Sequence, residues 1–185
     1  MRILAIVLGL FIASPALAQD AFWKSVGWWE VNYLQEYGGC SAIAQFQNGT
    51  YVFIGLDTTT QNLGLRVALL NEKWQSLAVD QPYQVDVQFD RRAPWEVTMY
   101  GMEVEGSRGL YNLFPATSDS SARFLREFRR SVHMVWDYNG NELGDFSLKS
   151  TNIAIQEVIA CTEHYMKSGG TDPFAGGGGR ADPFQ

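Results

Sequence analysis

Residues 40–56, CSAIAQFQNGTYVFIGL, set two runs of apolar and aromatic residues on either side of Gln47-Asn48-Gly49. Asn-Gly between apolar runs supplies the backbone angles of a tight reversal, so this stretch reads as two antiparallel strands joined by a hairpin. Outward from it the period stays near two. Residues 27–34 (GWWEVNYL) precede the hairpin and 64–70 (GLRVALL) follow it. Residues 83–90 (YQVDVQFD) alternate cleanly, with Tyr83, Val85, Val87 and Phe89 on one face and Gln84, Asp86, Gln88 and Asp90 on the other: a strand with one wet side. Residues 94–104 and 109–114 continue the pattern, and 132–150 contain a second Asn-Gly turn at Asn139-Gly140. Seven or eight short antiparallel strands are predicted.

Two segments carry a helical period instead. Residues 121–131 (SARFLREFRRS) gather Phe124, Leu125 and Phe128 on one face, and residues 151–166 (TNIAIQEVIACTEHYM) turn Ile155, Val158, Ile159 and the flank of Cys161 inward, with Thr151 or Asn152 as the cap. The expected fold is mainly β, a β-sandwich or bent antiparallel sheet with two short helices, one of them near the C-terminal end of the domain; α+β describes the same content.

The chain opens MRILAIVLGLFIASPALAQD: a single cation at Arg2, a short apolar core, a Ser14-Pro15 breaker and Ala16-Leu17-Ala18 before Gln19. This is the pattern of a secretory leader, residues 1–18, removed after Ala18. Its apolar run falls short of the ~20 residues a spanning helix needs, and no later run is long enough, so no integral membrane span is expected. The reading is an exported protein, periplasmic or secreted, with a single β-rich domain over 19–167 and a glycine-rich tail over 168–185 that is expected to be disordered. In an oxidising compartment the two cysteines, Cys40 and Cys161, read as a disulfide. A nucleophilic thiol would need a base, for which the chain offers only His133 and His164, the latter three residues from Cys161.

Twenty acidic residues stand against fourteen basic ones, a formal charge of −6. Nucleic acid and anionic lipid both need a basic face, so neither is an expected partner. Two histidines, with cysteines expected to bond each other, supply no metal cage, and no metal or cofactor is expected. There is no Gly-x-Ser-x-Gly elbow and no phosphate-cradling loop. Asp57-Thr58-Thr59 lacks the glycine of an aspartic-protease turn and reads as a polar turn. Asp86 and Asp90 lie too far apart on an extended strand to share a proton. No catalytic residues are assigned.

Three surfaces remain as candidates for binding. Trp23, Trp28 and Trp29 crowd the start of the domain. Trp28 and Trp29 are adjacent, so in a strand one fills the core while the other, with Trp23, can stack on a sugar or peptide unless the amino-terminal arm covers it. Arg123, Arg126, Arg129 and Arg130 form either the solvated side of an amphipathic helix or a site for a carboxylate-rich partner. The tail repeats Asp-Pro-Phe at Asp172 to Phe174 and at Asp182 to Phe184, with four glycines between. Each motif is a short hook ending in an aromatic, and two on one linker can gain avidity for a partner with two pockets.

The order GWWEVNY, GCSA, NEKWQSL, YQVDVQFD, a short helix and NGNELGDFSLKSTNIAIQEVIAC, from Gly27 to Cys161, resembles small exported proteins grouped with the invasion-associated locus B proteins. The resemblance implies a β-rich envelope or secreted protein without established catalytic residues, and it carries no site over. Two classes of function follow: a non-enzymatic envelope or periplasmic protein, accessory subunit or inhibitor-like, that binds a protein partner; or a glycan-binding or carbohydrate-active module using surface tryptophans and acids.

Overall fold

The computed structural model describes residues 20–60 and 62–168. The expected leader and both Asp-Pro-Phe motifs, with Asp172, Phe174, Asp182 and Phe184, lie outside the described residues. The chain runs β1 (Ala21–Val26), β2 (Trp29–Leu34), a 3-10 turn (Gln35–Tyr37), β3 (Gly39–Gln45), β4 (Tyr51–Asp57), β5 (Gly64–Asn71), β6 (Pro82–Phe89), β7 (Trp95–Val104), β8 (Ser107–Pro115), α1 (Asp119–Arg130), β9 (His133–Tyr138), β10 (Asn141–Ser147) and α2 (Thr151–Ser168). Ten strands therefore stand where seven or eight were expected. β1, a short strand turning back at Gly27-Trp28, lies in a stretch where the period gave no strand.

All ten strands belong to one antiparallel sheet, ordered β1-β2-β3-β4-β5-β8-β7-β6-β9-β10. Of the two β architectures expected, the bent sheet is the one observed. The hairpin at Asn48-Gly49 forms: Gly49 takes φ 86° and the Asn48 side-chain oxygen accepts the Thr50 amide at 3.0 Å. The second Asn-Gly turn joins β9 to β10. The sheet curls until its last strand comes back near its first ones. The Asn48 amide donates to the Leu143 carbonyl (3.3 Å) and the Trp29 indole to the Lys149 carbonyl (3.2 Å).

Curling leaves a concave face that the two helices fill. From β8 the chain must pass β7 and β6 to reach β9, and α1 makes that passage over the core. Its Phe124 lies 5.4 Å from Phe89, 5.9 Å from Phe114 and 6.0 Å from Phe128, ring centre to ring centre, and all four rings are buried. Packing of this kind, more than intrinsic propensity, keeps a 12-residue helix formed. Ser118 caps it, its hydroxyl accepting the Ser121 amide at 3.1 Å. Ser118→Ala is expected to lower stability by about 1 kcal/mol, read as a shift in urea midpoint at unchanged slope.

α2 packs across β2 and β3, and Cys161 bonds Cys40 with their Cα atoms 5.9 Å apart, inside the range a disulfide requires. Both are buried, and neither sulfur is left as a nucleophile. Ala154, Ile155 and Val158 face the core, but Ile159 does not: it is 41% exposed, because the buried stripe steps from Val158 to Cys161 and Thr162. Nor is Thr151 an accepting cap. Its single hydroxyl proton is shared between the Phe128 and Leu148 carbonyls, 2.7 and 2.8 Å away, and ties the start of α2 to the end of α1. Asp90 leaves the wet face of β6 for the following turn at φ 53°. No described helix is long and apolar enough to cross a membrane.

Candidate functional site

Two surface depressions gather the polar and charged side chains of interest. The first is a cleft of about 540 Å3 where the end of α1 meets the start of α2. Arg126, Arg129 and Arg130 line it with Ala122, Leu125 and Asn152. The helical period puts the arginines there: Phe124 and Phe128 are drawn into the core, so positions 126, 129 and 130 point outward. Arg129 donates from Nε to the Asn152 side-chain oxygen at 2.9 Å. Among the described residues, none of the three arginines has a carboxylate partner. Arg123, the fourth of the run, is placed differently. It pairs with Glu127 at 3.3 Å and lies 4.5 Å above the centre of the Trp95 ring, so its charge is taken up within the fold.

The second is an open groove of about 550 Å3 between the β3–β4 hairpin, the β1–β2 turn and the edge strand β10. A bulge in β10 between Glu142 and Gly144 shapes it by advancing the strand one residue against β9. Past the bulge, Ser147 lies opposite His133, and Asp145 comes within 3.0 Å of the His133 Nδ1. Gly144 permits the close approach of the hairpin. A β-carbon there would sit 2.4 Å from the Phe146 ring and 2.8 Å from the Asn48 amide nitrogen. His133 is held from behind by Asp90, whose carboxylate accepts the amides of Val132 (2.8 Å) and His133 (3.0 Å). Burial pushes the Asp90 carboxyl up, but these amide bonds outweigh it and hold the group below the usual carboxylate range. Among the described residues no hydroxyl hydrogen-bonds the far ring nitrogen of His133.

The three expected tryptophans part company. Trp29 is fully buried, its ring edge-on to Phe46 and Phe128, and is removed from any binding surface because it plugs the concave face of the sheet. Trp23 turns onto α2, donating to Glu157 at 3.1 Å and packing against His164 and Tyr165. Lys24 and Trp23 both bond Glu157, and these bonds hold its carboxyl below its ordinary value. Trp28 alone lines the groove, 46% exposed. The polar turn read at Asp57 is present as expected, with Asp57 accepting from the Thr59 amide at 2.9 Å. Glu142 and Asp145 were not singled out in the sequence, and His133 was read there only as a possible base for a cysteine thiol.

Among the described residues there is no cluster of three or more His, Cys, Asp or Glu placed to hold a metal ion. No family model, no curated protein and no solved structure matches the chain. Fold and sites therefore define its class by themselves: a disulfide-bonded protein of one curled antiparallel sheet with an arginine cleft and a polar groove.

Proposed function

We propose that this is an exported envelope or periplasmic interaction protein that does no chemistry of its own and holds an acidic segment of a partner protein in the cleft of Arg126, Arg129 and Arg130. One observation carries the reading: three arginines line one cleft with no carboxylate among the described lining residues, on a chain whose net charge is −6. Among the described residues no carboxylate meets these three cations, Arg129 spending one donor on Asn152, and the planar forks that remain suit a carboxylate. Val132 and Ile153, 63% and 52% exposed, stand within two residues of the cleft lining and offer apolar contact beside the charges. The leader pattern and the buried disulfide support export to an oxidising compartment.

The test is fluorescence anisotropy with a labelled peptide of alternating Asp, Glu and Phe. Arg126→Gln, Arg129→Gln and Arg130→Gln together should weaken binding on the order of 100-fold with no change in melting temperature. Raised salt should weaken the wild-type complex. Equal binding by the triple variant would discard the cleft. A chain with Phe174→Ala and Phe184→Ala, run beside it, tells whether the tail motifs contribute contacts of their own.

A further inference from the structure

We propose that the groove beside Trp28 is a second binding site and that it takes a neutral oligosaccharide of two or three pyranose rings. A pyranose has a face of C–H groups and a rim of hydroxyls, and it is held where a flat aromatic surface stands beside planar hydrogen-bonding groups. The groove has both. Trp28 lines it and is 46% exposed, and Phe46, also in the lining, lies 4.8 Å from the buried Phe146 ring. Around them stand the side-chain amides of Gln45 and Gln47 and the carboxylates of Glu142 and Asp145, all lining the same space. Pockets for apolar small molecules are walled mostly by hydrocarbon with a few polar groups. This one sets a ring of side-chain amides and carboxylates on a wall that is still mainly hydrocarbon, and its volume of about 550 Å3 falls in the range of ligand-sized clefts.

The groove is also fixed before any ligand arrives. Asp145 is held to His133, His133 is held through its backbone by Asp90, and Asn48 clasps the Leu143 carbonyl at the bulge. Preorganised groups lose little freedom when they bind, which matters for a ligand whose individual contacts are weak. Two carboxylates and no Lys or Arg among the lining residues turn away acidic sugars and leave neutral ones. A peptide added as an extra strand is the competing occupant, since β10 is a sheet edge. The bulge and the Asn48 clasp interrupt that edge at Leu143, where a continuous ladder of backbone bonds would have to form.

The experiment titrates the full chain with maltotriose, cellotriose and the trimer of N-acetylglucosamine, followed by saturation-transfer NMR and calorimetry. At least one should bind, with Kd in the region of 0.1–1 mM. Trp28→Ala should weaken it at least about tenfold while leaving the melting temperature unchanged, because the indole is exposed. The acidic peptide used against the arginine cleft should neither compete with the sugar nor respond to Trp28→Ala, so the two sites succeed or fail separately. No transfer from any trisaccharide at about 10 mM would overturn the proposal, as would equal binding by Trp28→Ala. Occupation of the groove by an extended neutral peptide but by none of the sugars would overturn it in favour of strand addition.

Discussion

Replacing Cys40 and Cys161 together by Ala is expected to lower the unfolding free energy by about 3–5 kcal/mol. The bond joins residues 121 apart, β3 near the start of the fold to α2 at its end, so it restrains most of the domain in the unfolded state. A loop of that length corresponds to about 5 kcal/mol in the chain-entropy treatment. The two sulfurs are fully buried, so their removal also takes contacts out of the core. Part of the junction survives. The Cys40 amide donates to the Thr162 hydroxyl at 3.0 Å, and that hydroxyl donates to the Val158 carbonyl at 2.9 Å, which keeps α2 on β3. The double variant should therefore fold to the same structure and melt roughly 10–15 °C lower. Its urea unfolding should show a lower midpoint with a steeper slope, because an unlinked denatured chain exposes more surface. Identical midpoints for the oxidised and Ala forms would show that the bond adds nothing to stability.

Most of the architecture could be read from residue order because alternation and turn chemistry agree. In 83–90 the apolar set of the strand is the buried set, and both Asn-Gly pairs turn hairpins. The cysteine pairing followed from their number and from the leader pattern. The groove was not legible, and the reason is the register of β9 and β10. Counting outward from the Asn139-Gly140 turn without interruption sets Asp145 opposite Met134, a core position, and His133 opposite Phe146. In the fold Phe146 lies opposite Met134, both fully buried, because the bulge between Glu142 and Gly144 shifts the strand by one. That shift brings Asp145 to His133. The signal was present: Met134, Trp136 and Phe146 cannot all be inward in an uninterrupted hairpin, and the conflict marks an inserted residue next to Gly144. The arginine run was visible, but only tertiary packing separates Arg123, committed to Glu127 and Trp95, from the three that line the cleft.

Asp57→Ala is expected to cost about 3–5 kcal/mol, the second large effect, and to change how the protein responds to acid. Asp57 ends β4 with 1% of its side chain exposed, and its carboxylate meets the Arg66 guanidinium of β5, itself only 15% exposed. Thr59 donates to the same carboxylate from its amide and its hydroxyl, and Arg66 lies 3.8 Å above the centre of the Tyr37 ring. Burial alone would push the Asp57 carboxyl up, but the hydrogen bonds from Thr59 and Arg66 outweigh it and hold the group below its ordinary value. Asp90 and Glu157 are held down in the same direction. A carboxyl lowered in the folded state contributes stability that is whole above the unfolded-state value, near pH 4, and is lost as the pH falls through the lowered folded value. Wild-type protein should thus lose stability on acidification below about pH 4, and Asp57→Ala should show a shallower fall over that range from a lower starting point. Removing the acid leaves a buried guanidinium without its partner, and that, more than the lost attraction, accounts for the size of the effect. Asp57→Ala combined with Arg66→Met removes the stranded charge and should recover part of the loss at pH 7. A double variant no more stable than Asp57→Ala alone would locate the damage in the lost Thr59 turn instead.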